Sequence, residues 1–173
     1  MDTFITNATA AVTLGSLALN VWHHAAWPVA LKLLSRRAAA TPAPIDAAAA
    51  PSVTIVMPAY NEAGHIAAKL RNLAALDYPR DRFEIVIACD GCSDDTAEIA
   101  RATLAEPACA GLQARVVEHT RNRGKVAVLN GTIAMITTEV VALTDVSAVL
   151  PADALLKAAA HFADPSLGAV GGT

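Results

Sequence analysis

Acidic side chains directly follow two apolar runs of this 173-residue chain. Asp90 comes after the run EIVIAC and Asp145 after VVALT, while Glu62 lies shortly beyond a third run, VTIVM. In proteins, Mg²⁺ is typically held by one or two carboxylates together with phosphate oxygens of the substrate. If the fold brings the three runs together, these acids indicate a metal-assisted site.

Basic residues around a glycine supply the opposite charge. Arg121, Arg123 and Lys125 flank Gly124 at the predicted start of a helix. Free backbone N–H groups and the positive end of the helix dipole favour an anion at such a position. A basic helix start facing carboxylates suits a phosphorylated ligand with a divalent cation between them. A solvated basic turn without a ligand is the alternative interpretation.

The elements that position these residues alternate regularly in the later part of the chain. Apolar, β-branched runs are each followed by a loop and then by apolar residues at helical spacing, as in Ile66, Leu70 and Leu73. Ser93 is placed to cap a second helix, whose first turn is acidic. The predicted strands cover 53–57, 84–89, 115–118 and 140–144, and the third helical stripe comprises Val126, Leu129, Ile133 and Ile136.

Near-continuous apolar strands alternating with amphipathic helices predict an α/β fold, Rossmann-like, with a mainly parallel sheet and helices on both faces. In such sheets the loops that leave the carboxyl ends of the strands open on one edge, and ligands bind there. The loops PAYNE, DGCSDD, TRNRGK and TDVSA are therefore expected to converge. The loop DYPRDRF enters the second strand at the opposite edge and carries no predicted chemistry.

The N-terminal part of the chain differs in composition. Residues 3–31 contain no Asp, Glu, Lys or Arg, over about the length that crosses a bilayer. With Trp22 and Trp27 resembling interfacial anchors, we expect a membrane-anchor helix with a basic flank over 1–37, and the positive-inside rule then places the rest in the cytoplasm. A surface-lying amphipathic helix is the alternative, and the acidic start at Asp2 disfavours a cleavable signal peptide.

An Ala- and Pro-rich linker is predicted over 38–50 and the α/β domain over 51–173. The formal net charge of −3 provides no field that would gather nucleic-acid phosphates, so nucleic acid is not an expected partner. The three cysteines, an odd number, argue against a disulfide scaffold. Cys89 and Cys92 form a C-x-x-C pair, which leaves a thioredoxin-like redox function as an alternative, although the nearby acids oppose the lowered thiol pKa that it requires.

Together, the loops resemble the nucleotide-sugar-binding half of family-two glycosyltransferases, which have a GT-A fold. The matching segments are VTIVMPAYNEAGHI, EIVIACDGCSDDTAEIA, NRGKVAVLNGTI and VVALTDVSAVLPADAL, in the family's order. An anchor ahead of such a domain is similar to the membrane-bound polysaccharide synthases of this family. The resemblance implies inverting transfer of a sugar from a nucleotide-diphospho-sugar, usually a UDP-sugar, to a glycan or lipid-linked acceptor at the cytoplasmic face of the cell membrane.

The resemblance also implies roles for seven residues. Asp145 takes the first position of the family's D-x-D element, which holds Mg²⁺ or Mn²⁺ against the diphosphate. The other six are implied to bind the nucleotide-sugar, by lining the pocket, contacting the base or lying beside the phosphates: Pro58, Ala59, Tyr60 and Glu62; Asp90; and Lys125.

Two departures from the family pattern change what is expected. Ser147 stands at the second position of the D-x-D element, where the family has a carboxylate. The family's general base for the acceptor hydroxyl is expected beyond Thr173, so the chain resembles a donor-binding half that we do not expect to turn over alone. A nucleotide-sugar-binding module without catalysis is the alternative function.

Overall fold

The computed structural model of the protein describes residues 2–34 and 42–171, and the chain divides into two units, Met1–Thr41 and Pro42–Thr173. The first unit contains helix α1, Asp2–Val21, and helix α2, Trp27–Leu34, joined by a π-helical turn, Trp22–Ala26. In that turn the N–H of Trp27 bonds the carbonyl of Trp22. The wider turn ends two residues before Pro28, which has no N–H to continue the α-helical pattern.

The predicted membrane helix over 1–37 is not confirmed. Among the described residues, no helix combines the length and the hydrophobicity needed to cross a bilayer. α1 has 20 residues, so nearly all of them would have to be apolar, and Asn7 and Asn20 are among them. Of the predicted basic flank, Lys32 lies in the last turn of α2, whereas Arg36 and Arg37 fall outside the described residues.

The second unit contains four strands and four α-helices within its described residues. In chain order they are β1 (Val53–Ala59), α3 (Ile66–Ala74), β2 (Phe83–Asp90), α4 (Thr96–Leu104), β3 (Gln113–His119), α5 (Lys125–Ile133), β4 (Val140–Leu143) and α6 (Ala154–His161). Short 3₁₀ turns cover Ala47–Ala49 and Pro107–Cys109.

The strands form one sheet in the order β3-β2-β1-β4, and every neighbouring pair is parallel. Val53 at the start of β1 pairs with Phe83 of β2 on one side and with Val140 of β4 on the other. The three strands therefore begin level with one another. The predicted α/β fold with a parallel sheet is confirmed.

Alternate residues of the central strands face two different layers. Ile55 and Met57 of β1 share the main apolar cluster with the stripe predicted for α3, namely Ile66, Leu70 and Leu73, which are all fully buried. Burying side chains of this size contributes about 1.5–3 kcal/mol each. On the opposite face, α5 packs against β1 and β2. Both faces of the sheet thus carry helices, as the sequence predicts.

The stripe predicted for α5 is wrong in its register. Val126 is 71% exposed, whereas Val128 and Thr132 are buried. α5 begins at Lys125 and ends at Ile133, so the predicted Ile136 lies beyond it. The predicted stripe started from Val126 instead of Val128, so it described a neighbouring face of the same helix.

Three smaller predictions also need correction. β4 is only partly buried, and Leu143 is 57% exposed, because β4 lies at the edge of the described sheet with one neighbouring strand. Ser93 does not cap α4, whose N-cap is Asp95. In the predicted linker, Ala50 is fully buried in the core and Ile45 packs against it, so part of that stretch belongs to the packed structure.

Candidate functional site

The seven residues singled out by the resemblance surround one cavity of about 400 Å³ at the carboxyl edge of the sheet. This volume is within the usual range of small-ligand sites. Three strand ends and the first turn of α5 supply its walls. The lining residues are Pro58, Ala59, Tyr60, Glu62, Asp90, Lys125 and Asp145, together with Asn122, Val146 and Ser147. The convergence of loops expected from the parallel sheet is therefore observed.

Asp90 organises the basic loop that precedes α5. It is the last residue of β2 and only 4% exposed. Its two carboxylate oxygens accept hydrogen bonds from the backbone N–H groups of Arg123 and Gly124, at 2.8 and 2.9 Å. Hydrogen bonds to an ionised group are among the stronger ones in proteins. The shape of this loop is thus fixed by the end of the neighbouring strand.

Gly91 allows the same two loops to approach each other closely. Its φ of +66° lies in the left-handed region, which side chains other than glycine adopt at a cost. A Cβ atom at this position would overlap the backbone N of Asn122. The loop after β2 and the loop before α5 are therefore packed backbone against backbone.

Polar bonds also join the loop after β1 to the start of α4. Asn61, with φ of +54°, accepts a hydrogen bond from the N–H of Ser93 at 2.8 Å. The N–H of Glu62 donates to the Thr96 hydroxyl at 2.8 Å, and the Asp94 carboxylate accepts from the N–H of Ala63. The pKa of Asp94 lies below its usual value because its carboxylate accepts hydrogen bonds from the hydroxyl and the N–H of Thr96 and from the N–H of Ala63. The sequence interpretation missed Asn61 and Thr96 as organisers of the site.

Asp145 and Lys125 form an ion pair across the cavity. Nζ of Lys125 lies 2.6 Å from Oδ1 of Asp145, and both side chains are about 60% exposed. Between Asp145 and Ser147, Val146 is buried in the apolar cluster. The apolar side chain anchors the loop in the core, while its two polar neighbours remain at the cavity.

The donor set at Asp145 suits a metal that is shared with a phosphorylated ligand. Within residues 2–34 and 42–171, no group of three or more His, Cys, Asp or Glu side chains could hold a metal ion. Asp145 offers one carboxylate, and Ser147 beside it offers a neutral hydroxyl. Mg²⁺ commonly binds in proteins through one or two carboxylates, phosphate oxygens and water. The residues therefore fit a Mg²⁺ or Mn²⁺ ion that completes its coordination with a diphosphate.

Lys69 is a third residue that the sequence interpretation missed. It lies on the buried side of α3, 3% exposed, and its Nζ donates to the Thr144 hydroxyl at 2.8 Å and to the carbonyl of Ala148. Burial lowers its pKa, and the charge of Asp145 partly offsets that effect. The sequence did contain a signal for this burial, because Lys69 lies one turn after Ile66 within an apolar stripe.

The redox interpretation of the C-x-x-C pair is wrong. Cys89 is buried in β2, and burial raises its pKa to about 12, with the Cys92 thiol adding to the shift. A redox-active cysteine needs a thiolate near neutral pH, and hence a lowered pKa. The Sγ of Cys92 points to the carbonyl of Ala59 at 3.5 Å. Cys89 belongs to the apolar core and Cys92 packs against that core, so Cys89 does not supply the thiolate of a redox pair.

Comparison with known families agrees with this architecture. Residues 54–173 match the model of the family described as "Glycosyl transferase family 2". The parallel sheet flanked by helices is that of a GT-A-type fold. This chain belongs to glycosyl transferase family 2.

Named relatives and solved structures add detail. The chain is 34% identical over 122 residues to beta-monoglucosyldiacylglycerol synthase of Trichormus variabilis, a match that covers 69% of the chain and 25% of that protein. Glycosyltransferase AglD of Haloferax volcanii is 43% identical over 74 residues, or 41% of the chain and 11% of that protein. The chain thus spans about a quarter of the first relative's length, and less of the second.

Two solved structures share the fold. The mannosyltransferase PcManGT from Pyrobaculum calidifontis, in complex with GDP-Man and Mn²⁺, has a TM-score of 0.68 and 33% identity, covering 95% of this chain and 45% of that one. S. aureus TarS 1-349 in complex with UDP-GlcNAc has a TM-score of 0.55 and 26% identity, covering 63% of this chain and 30% of that one.

Proposed function

We propose that this chain is the donor-binding part of an inverting glycosyltransferase that uses a UDP-sugar and a divalent metal. The observation that carries the proposal is the cavity that gathers Asp145, Lys125 and Asp90 with the loop after β1. It combines a half-exposed aromatic ring, a basic helix start and an available carboxylate. A base, a diphosphate and a metal ion require these three kinds of group.

Each part of the donor has a proposed partner. Tyr60, 53% exposed at the cavity, offers a ring face to the base. Lys125, at the N-terminus of α5, offers an ammonium group and a favourable helix dipole to the phosphates. A Mg²⁺ or Mn²⁺ ion bound by Asp145 would neutralise the charge that develops on the diphosphate as the sugar departs.

Asp90 is proposed to act at the base while it also holds the basic loop. Its oxygens already accept the two backbone N–H groups of that loop. An ionised carboxylate has about four acceptor sites, so it can accept a further hydrogen bond from a base. One residue would then couple recognition of the base to placement of the phosphate-binding loop.

The acceptor and the location are proposals of the same kind. The relative from Trichormus variabilis is named as a synthase of a β-glucosyl diacylglycerol, which supports a lipid-linked or glycan acceptor for this chain. We propose that the acceptor hydroxyl attacks the sugar C1 opposite the diphosphate, at the cytoplasmic face of the cell membrane. Because the chain spans about a quarter of that relative's length, we place the general base in sequence beyond Thr173.

Donor binding by calorimetry in the presence of Mn²⁺ tests the proposal. We expect UDP-glucose or UDP-GlcNAc to bind the 173-residue chain, and Asp145→Ala and Asp90→Ala each to weaken that binding at least tenfold. Asp81→Ala is the matched control, since Asp81 is an exposed acid in the loop entering β2 at the opposite edge of the sheet. Unchanged affinity in both site variants would falsify the assignment, and tighter binding of GDP-mannose than of any UDP-sugar would overturn the choice of base.

A nucleotide-sugar-binding module without catalysis remains the second candidate. The observation that favours it is Ser147, which lines the cavity where the family pattern places a second carboxylate. Extending the chain with the sequence that follows Thr173 and assaying sugar transfer separates the two functions. Transfer by the longer protein supports the enzyme, whereas donor binding without transfer supports the module.

A further inference from the structure

A lysine ammonium lies buried beneath the loop that carries Asp145. Lys69 projects from α3 and is only 3% exposed. Its Nζ donates to the side chain of Thr144 and to the backbone carbonyl of Ala148, which lie on either side of the loop. The Thr144 hydroxyl in turn donates to the carbonyl of Asp145 at 3.3 Å. A chain of hydrogen bonds thus runs from the helix to the backbone of the predicted metal ligand.

The same helix holds the far end of this loop. The side-chain amide of Asn72 donates to the carbonyl of Leu150 at 2.8 Å, and its oxygen accepts from the N–H of Leu150 at 2.9 Å. Asn72 lies three residues after Lys69, so the two side chains lie on neighbouring turns of one helix face. α3 therefore contacts the loop at residues 144, 148 and 150.

Packing alone does not require a charge at Lys69. Its neighbours along the buried face, Ile66, Leu70 and Leu73, are apolar and fully buried. Removing an ammonium from water is unfavourable, and the lowered pKa of Lys69 reflects this desolvation. A methionine of similar length would fill the same space without that cost. The ammonium contributes the two hydrogen bonds, both of which end on the loop.

We infer that Lys69 is a positioning residue for metal-dependent donor binding, which fixes the Asp145–Ser147 loop with its carboxylate and hydroxyl at the cavity. Asn72 assists from the adjacent turn. This inference rests on the proposed function, because it assigns Asp145 to a metal shared with a diphosphate. Precise placement matters here since Asp145 is joined by a neutral Ser147 and not by a second carboxylate at that position.

Two titrations of UDP test the inference, one with Mn²⁺ and one with EDTA. The dissociation constant in EDTA divided by that in Mn²⁺ measures how much the metal assists binding. In Lys69→Met, we expect this ratio to fall about tenfold, as the loss of hydrogen bonds from a charged group predicts. The dissociation constant in EDTA should stay within about threefold of wild type, because the base-binding side is not held by Lys69. Lys157→Met, on the exposed face of α6, is the matched control and should change neither value.

A structural readout runs in parallel. Hydrogen–deuterium exchange of the 144–150 segment should accelerate about tenfold in Lys69→Met, while β2 keeps its protection. The N–H of Ala148, which bonds the carbonyl of Asp145, is the most informative amide. Asn72→Ala should shift exchange and the metal ratio in the same direction, and it replaces Lys69→Met if that variant does not fold.

The outcomes separate the inference from the function on which it rests. An unchanged ratio in Lys69→Met would overturn the inference. If UDP binding weakens equally with and without Mn²⁺, Lys69 contributes to general stability instead. If wild-type protein binds no UDP under either condition, the proposed function fails. Hydrogen–deuterium exchange of residues 144–150 in Lys69→Met then tests whether Lys69 fixes this loop. Faster exchange supports that role, and unchanged exchange rejects it.

Discussion

Nζ of Lys125 lies 2.6 Å from Oδ1 of Asp145, so the two residues proposed to hold the phosphates and the metal contact each other directly across the cavity. Both side chains are mostly exposed, and ion pairs of this kind contribute at most about 1 kcal/mol. The pair therefore separates at little cost. A bound metal would take Asp145 from the existing pair, and a bound diphosphate would take Lys125.

The first prediction concerns competition between the lysine and the metal. Lys125→Met frees the carboxylate of Asp145, so we expect Mn²⁺ alone to bind a few-fold more tightly. UDP binding in Mn²⁺ should weaken about tenfold in the same variant, because a charged donor to the phosphates is lost. Electron paramagnetic resonance of free Mn²⁺ and calorimetry with UDP measure the two effects. Tighter binding of UDP by the variant would contradict the proposed role of Lys125.

A second prediction separates the base from the phosphates. Tyr60→Ala removes the exposed ring at the cavity, and we expect the affinity for UDP to fall about tenfold, as for other aromatic–base contacts. The loss should be equal with Mn²⁺ and with EDTA, unlike that of Asp145→Ala, which should appear only with the metal. Tyr60→Phe keeps the ring and serves as the control. A loss seen only in Mn²⁺ would place Tyr60 at the phosphates instead.

The third prediction concerns the close approach of the loops after β2 and before α5. Gly91→Ala puts a Cβ against the backbone of Asn122 at a positive φ, so we expect a destabilisation of about 2 kcal/mol or more in urea unfolding. Gly64→Ala meets nothing within 4 Å and should remain within about 0.5 kcal/mol of wild type. Equal stability of the two variants would show that the loops are not packed in this way.

A fourth prediction follows from the buried thiol in β2. The pKa of Cys89 is raised from 9.0 to about 12, so the neutral thiol stabilises the fold below pH 9, and that stability is lost as pH rises from 9 to 12. The free energy of unfolding should fall by up to about 1.4 kcal/mol per pH unit in this window. Urea titrations between pH 8 and pH 10 measure the slope.

Two variants assign that slope to its residues. Cys89→Ala should reduce it between pH 9 and pH 10 and leave a smaller remainder, because burial also raises the pKa of Cys109. Tyr78, whose pKa rises from 10.0 to about 12, donates its hydroxyl to the carbonyl of Pro51 and contributes only above pH 10. Tyr78→Phe should therefore leave the lower part of the slope intact. A wild-type slope in Cys89→Ala would mean that another group governs alkaline stability.

The order of strands and helices was predictable because each strand is a short apolar run that ends at a polar loop. The parallel sheet followed from that alternation, and the convergence of the loops followed from the parallel sheet. Buried positions of α3 were also predicted correctly, since Ile66, Leu70 and Leu73 have clear helical spacing between polar residues.

The failures have physical causes that a single sequence does not contain. α5 carries apolar residues on more than one face, so Val126 was as plausible a core residue as Val128 until packing selected between them. Lys69 is polar by type, and its burial depends on acceptors that lie 75 and 79 residues further along the chain.

The bonds from Asp90 to the N–H groups of Arg123 and Gly124 connect residues 33 and 34 positions apart. Forming them requires β2 to be in the sheet and the chain to have returned through β3 to the start of α5. The cavity is therefore not a local structure that an isolated peptide of this chain could retain. Its geometry and the tertiary fold should be gained and lost together, in one cooperative transition.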